Sequence, residues 1–122
     1  MNPSATRRQL IKALAMAPLA GSGALMAQGA WPQGPVKIVV GFPPGGGTDA
    51  LARVLAPKLT TMWGQQVIVE NRAGVAGVLA ADIVAKSTDG LTLLMGHINS
   101  HGIGPALNPK MPYNAETDFS PL

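Results

Sequence analysis

The chain has 122 residues, nine basic and six acidic side chains and no cysteine, for a formal net charge of +3. The lack of cysteine excludes a disulfide framework and a thiolate-ligated metal site. The positive charge is no nucleic-acid signature: Arg7, Arg8 and Lys12 sit at the extreme N-terminus, and the other six bases are scattered singly.

Residues 1–27 have the layout of an export signal, with a charged portion from Thr6 to Lys12, an apolar portion from Ala13 to about Met26, and no acid before Asp49. Pro18, Gly21 and Gly23 interrupt the apolar portion, which falls short of the roughly 18 consecutive apolar residues of a membrane span. Leu25-Met26-Ala27 offers the small residue that signal peptidase requires, so cleavage is expected between Ala27 and Gln28 and the location is expected to be periplasmic. Arg7-Arg8 ahead of Leu10 and Ile11 resembles a twin-arginine signal; ordinary signals carry such pairs too, and both routes stay open. Cleavage removes three bases and no acid, which leaves the mature segment, 28–122, formally neutral.

Val36 to Val40 is rich in branched residues and too short for a helix, the pattern of a buried strand. Gly41 to Gly47 reads GFPPGGG, which sustains neither helix nor sheet. A helix is expected from Asp49 to Met62, capped by Thr48 and Asp49, with Leu51, Leu55, Leu59 and Met62 as its apolar stripe, a kink or restart at Pro57, and Gly64 as its left-handed end. Gln66 to Glu70 makes a second strand and Asn71 to Gly77 a second glycine-bearing loop. A second helix follows over Val75 to Lys86, with Leu79, Ile83 and Val84 on one face and Asp82 on the other. After the Asp89-Gly90 turn comes a third strand, Leu91 to Met95. Gly96 to Gly104 is a third loop, holding both histidines, with a short helical turn near Pro105 to Leu107. Strand and helix alternate, so the fold class is α/β: a wound parallel sheet with helices on both faces.

In such domains ligands sit beyond the carboxyl ends of the parallel strands, and all three glycine-bearing loops leave from those ends. The first helix presents unpaired N–H groups and its positive dipole end there, so an anion is the expected guest. A phosphate loop would need a lysine after its last glycine, and Gly47 is followed by Thr48-Asp49. A dinucleotide loop would need a third glycine where Ala50 stands, and Asp49 would set a carboxylate against the phosphates. A smaller anion held by backbone N–H groups and hydroxyls fits better. His97 and His101 have helical spacing but lie in a loop without a third ligand, so no metal is expected. Ser100-His101 is not read as nucleophile and base, because adjacent side chains rarely point at each other and no G-x-S-x-G elbow is present. Arg72 is a candidate either for a ligand carboxylate or for a salt bridge to Glu70. Trp31 and Trp63 read as packing residues.

The segments VKIVVGFPPGGGTDALARVLAPKL, QQVIVENRAGVAGVLAADIVAKSTDGLTLLMG and SHGIGPALNPKMPYNAETDFSPL resemble the start of the tripartite tricarboxylate transporter solute receptors, the Bug or TctC-like proteins. PPGGGTD, VENR and DGLTLLMG carry the resemblance. It implies the first lobe of a two-domain periplasmic clamp of the Venus flytrap kind, with the second lobe missing. The complete protein would close on a small carboxylate solute and deliver it to membrane permease subunits. The resemblance also implies a receptor without catalytic residues or cofactor, a monomer when complete, and no nucleic-acid partner. Carried onto this chain, ligand contacts would come from Phe42, Pro43, Gly46, Gly47, Thr48 and Asp49, from Ala73, Gly74 and Gly77, and from His97, Ser100 and His101. Where relatives read RPGAGGNIGA, this chain reads RAGVAGVLAA, losing a proline, a glycine and an asparagine at Ala73, Ala76 and Val78. The apolar, proline-containing ending from Asp118 to Leu122 predicts that the chain runs on into another element. A small nucleotide-binding α/β enzyme domain and a fragment without function are the alternatives.

Overall fold

The structure, a computed structural model, describes residues 31–122. The expected export signal and its cleavage point lie outside the described residues.

Val36–Val40 forms β1, Val67–Asn71 forms β2 and Thr92–Met95 forms β3. They make one parallel sheet in the order β2-β1-β3, with Val36 opposite Val67 on one side and Lys37 opposite Thr92 on the other. The central position of β1 explains its composition, since both of its edges are paired and Val36, Val39 and Val40 are essentially fully buried. Strand alternation sends Val36, Ile38 and Val40 to one face and Lys37 and Val39 to the other.

The first face is covered by α1, Gly47–Trp63. It packs through Ala52 and Ala56, with Leu59 and Trp63 partly buried beside them. The expected stripe is therefore displaced: Leu51, Leu55 and Met62 are 61%, 42% and 76% exposed, and of the four residues named only Leu59 turns inward. A helix lying close on a sheet presents its smallest side chains to the strands, which moves the leucines to its flank. The expected restart at Pro57 does not occur, and α1 continues through it as one helix. Pro57 and Arg53, whose carbonyl loses its helical donor, are both exposed, so water can satisfy that group.

Gly64 ends α1 as expected, at φ 65° and with its N–H on the Thr60 carbonyl at 3.0 Å. Thr60 also ties the helix end to β2, its hydroxyl accepting the Val67 N–H at 3.1 Å. Trp31 packs edge-on against Trp63 with centroids 4.9 Å apart, as the packing reading expects.

The second face carries α2, Val78–Ala85. It begins later than expected because Val75–Gly77 forms a separate 3-10 turn in which Val75 and Ala76 have φ of 45° and 53°. The buried residues of α2 are Ala80 and Ala81, whereas Leu79 and Ile83 are 44% and 39% exposed, so here too alanine replaces the expected branched contacts. After β3, the segment read as a loop is helical: a π-helical turn at Asn99–Ile103 runs into α3, Gly104–Leu107. Gly104 suits that junction, because a Cβ there would stand 2.6 Å from the Asn99 carbonyl oxygen.

Candidate functional site

The first loop links the end of β1 to α1, and its shape depends on Asp49. The N-cap of α1 is Gly46, and neither Thr48 nor Asp49 caps the helix as the sequence suggested. Asp49 lies in the first turn and is only 2% exposed. Its Oδ2 accepts the Gly45 N–H and the Arg53 Nε–H, both at 2.9 Å, and its Oδ1 accepts from Asn71 Nδ2 at 2.9 Å. The Arg53 bond, then the Gly45 amide and Asn71, hold its pKa down at about 2. Asp49 therefore shapes the loop and has no free oxygen turned toward a guest.

Asn71, at the end of β2, extends this network. Its Nδ2 also donates to the Phe42 carbonyl at 3.1 Å, while its Oδ1 accepts from an Arg53 guanidinium nitrogen at 3.1 Å. Asp49 is buried beneath the loop, whose residues Pro43 to Gly47 are exposed. The first helical bond of α1 is Ala50 N–H to the Gly46 carbonyl, and the N–H groups of Gly47 and Thr48 have no acceptor among the described residues.

The second loop meets the first at Gly41. A Cβ on Gly41 would fall 2.6 Å from the Gly77 Cα, so the two backbones are in direct contact. Gly77, at φ 92°, faces the Phe42 ring and Ser100: a Cβ there would lie 3.5 Å from the ring and 3.8 Å from the Ser100 Cβ. The third loop closes the group, with the His97 ring edge-on to Phe42 at a centroid separation of 4.7 Å. Phe42, Gly77, His97 and Ser100 thus stand together where the three strands end. Pro43, Gly46 and Gly47 are exposed and Thr48 is half-buried on the same loop, while Ala73 is exposed and Gly74 packs on Leu79. Arg72 is engaged with Glu70, which also binds Lys37 at 3.0 Å, and these partners, Lys37 first, lower the Glu70 pKa.

Ser100 and His101 do point at each other, contrary to the expectation for neighbours: Ser100 Oγ lies 2.9 Å from His101 Nδ1. Both residues lie in the π-helical turn. Ser100 is nevertheless 2% exposed, and its hydroxyl also reaches the His97 carbonyl at 2.9 Å. Tyr113 donates to the Ser100 carbonyl at 2.7 Å, and the His101 ring packs on Phe119 at 4.7 Å. Burial lowers the His101 pKa and favours the neutral ring. Among the described residues, no group of three or more His, Cys, Asp or Glu side chains could hold a metal ion. A groove of about 850 Å³ runs between β3, His101 and residues 115–122, on the flank of the sheet and apart from Gly45–Thr48.

Asn71 escaped the sequence reading because it was placed in a loop. The available signal was a short amide side chain closing a strand of branched residues, opposite a glycine loop with an aspartate just beyond it.

Residues 51–122 match the sequence profile of the tripartite tricarboxylate transporter family receptor. The chain is 43% identical to protein BugT of Bordetella pertussis, over 84% of this chain and 32% of that protein. Two solved structures from Rhodopseudomonas palustris are similar over 75% of this chain and 31% of theirs. MatC with bound malate is 41% identical with a TM-score of 0.70, and a second protein solved with adipate is 40% identical, also with a TM-score of 0.70. The chain spans about a third of the length of the curated relatives it matches, 34% and 32% for two of them.

Proposed function

We propose, from the premise that the chain belongs to the tripartite tricarboxylate transporter receptor family, that it is the first lobe of a periplasmic receptor for a small carboxylate. The meeting of the three strand-end loops at Gly41, Phe42, Gly77, His97 and Ser100, with Asn71 tying the end of β2 to Asp49 in the first turn of α1, supports this reading more than any other observation. Gly47 and Thr48 offer unpartnered N–H groups at the positive end of a 17-residue helix, and the Phe42 and His97 rings pair at the strand ends. A carboxylate oxygen accepts such N–H groups without requiring a cationic side chain. Malate and adipate, bound by the two relatives, have this chemistry.

In this reading the chain binds and does not catalyse. The Ser100 hydroxyl is buried and shared with a carbonyl, out of a substrate's reach. The reading also includes export through residues 1–27, a second lobe that completes the enclosure, and delivery to permease subunits. No helix among the described residues is long and apolar enough to cross a membrane.

Titration of the isotopically labelled chain with malate and with adipate, followed by amide NMR, tests the proposal. Saturable shifts confined to Gly46–Thr48, Gly77 and His97–Ser100 are expected, with dissociation constants of about millimolar because only one wall of the site is present. Shifts that sulfate reproduces at equal ionic strength, or no shifts with either acid, would refute it.

A further inference from the structure

We infer that Asn71 is the positioning residue of the first loop, the side chain that fixes the turn leading into the unpartnered Gly47 and Thr48 amides. It reaches three points distant in sequence, bonding to Phe42, Asp49 and Arg53 across separations of 29, 22 and 18 residues. Both Nδ2 hydrogens are used, one on the Phe42 carbonyl and one on the Asp49 carboxylate, and its oxygen accepts from Arg53. Only this orientation works, because a flipped amide would set its oxygen against two acceptors. The two donations act at the two ends of the loop. One pins the Phe42 carbonyl as the chain leaves β1. The other holds Asp49 where its second oxygen captures the Gly45 N–H, at 2.9 Å. That capture fixes the turn two residues ahead of the Gly47 N–H, which like that of Thr48 has no acceptor among the described residues. Arg53 alone cannot do this: it reaches Asp49 from the same helix and makes no bond to the first loop.

The consequence for binding rests on the receptor reading, but the positioning role can be measured without a ligand. Asn71→Ala removes both donations. Asn71→Asp keeps the shape and replaces the donor with a carboxylate facing Asp49, so that the pair repels at neutral pH and shares a proton in acid. Amide hydrogen exchange is measured on the wild-type chain and both variants, each compared with wild type at the same pH. The Gly45 amide should exchange about tenfold faster in both variants at neutral pH, while Ile38, Val39 and Val40 in β1 keep their rates. The Asn71→Asp effect should shrink as the pH falls and the Asn71→Ala effect should not.

A second arm uses malate: wild-type shifts at Gly47 and Thr48 should be lost in Asn71→Asp at neutral pH and return in acid. Unchanged Gly45 protection in both variants would overturn the inference, and so would equal loosening of the whole sheet or neutral-pH malate binding by Asn71→Asp at wild-type strength. If the wild-type chain responds to neither malate nor adipate, the receptor reading falls, and the exchange rates still decide the role of Asn71.

Discussion

Replacing Ala76 by glycine should stabilise the chain. Ala76 sits at φ 53° and ψ 35°, in the left-handed region, where an L-residue with a Cβ stands about 1–2 kcal/mol above its right-handed conformation. Glycine carries no such penalty, but it makes the unfolded chain more flexible, which offsets roughly 0.4–1 kcal/mol of the gain. The Ala76 side chain is exposed, so no packing is lost. The net expectation is about 0.5–1 kcal/mol, or an increase in Tm of roughly 2–8 °C for a folded unit of this size. Urea unfolding followed by far-UV circular dichroism measures it, with an unchanged m-value expected because the same surface is exposed. Gly77→Ala supplies the opposite sign, since Gly77 is at φ 92°, where a Cβ is strained. If Ala76→Gly left the midpoint unchanged or lowered it at constant m, the left-handed backbone at residue 76 would be disproved.

Two further outcomes follow from the same loops. Gly41→Ala should destabilise the chain by about 1–3 kcal/mol, because its Cβ would meet the Gly77 Cα at 2.6 Å and backbone cannot give way as a side-chain end can; a wild-type urea midpoint would contradict this. Asp49 has a folded pKa of about 2 against an ordinary value of 3.8, so its contribution to stability is complete above 3.8 and is lost as the pH falls through 2. Asp49→Asn should accordingly flatten the acid limb of the stability profile, and urea midpoints between about pH 2 and 6 that keep the wild-type slope would rule it out.

The sheet was legible because a parallel strand paired on both sides needs an unbroken branched run, and Val36 to Val40 supplies one. The loops were legible from glycine and proline, and Gly64 from its place after the last helical residue. What the pattern misassigned was the inner face of each helix. Leucine periodicity marked Leu51, Leu55 and Met62 in α1, and Leu79 and Ile83 in α2. The residues pressed closest to the strands are instead Ala52, Ala56, Ala80 and Ala81, with Leu59 alone of the expected α1 stripe turned inward. Helical spacing alone does not separate an inner stripe of alanine from a flanking stripe of leucine one step around the helix. The Asp49 and Asn71 network was hidden for another reason: it joins residues 22 apart, and only the parallel pairing of β1 with β2 brings them together. The Ser100 and His101 contact lies in a π-helical turn that a glycine-containing segment does not announce.

The leucine flank of α1 also shapes how the chain behaves in solution. Attraction between apolar surfaces grows stronger on warming through the ordinary laboratory range. With Leu51, Val54, Leu55 and Met62 at the surface, clustering between molecules should therefore deepen as a sample warms and reverse on ice, well before any helix melts. For this chain, turbidity at room temperature would be a property of the native fold.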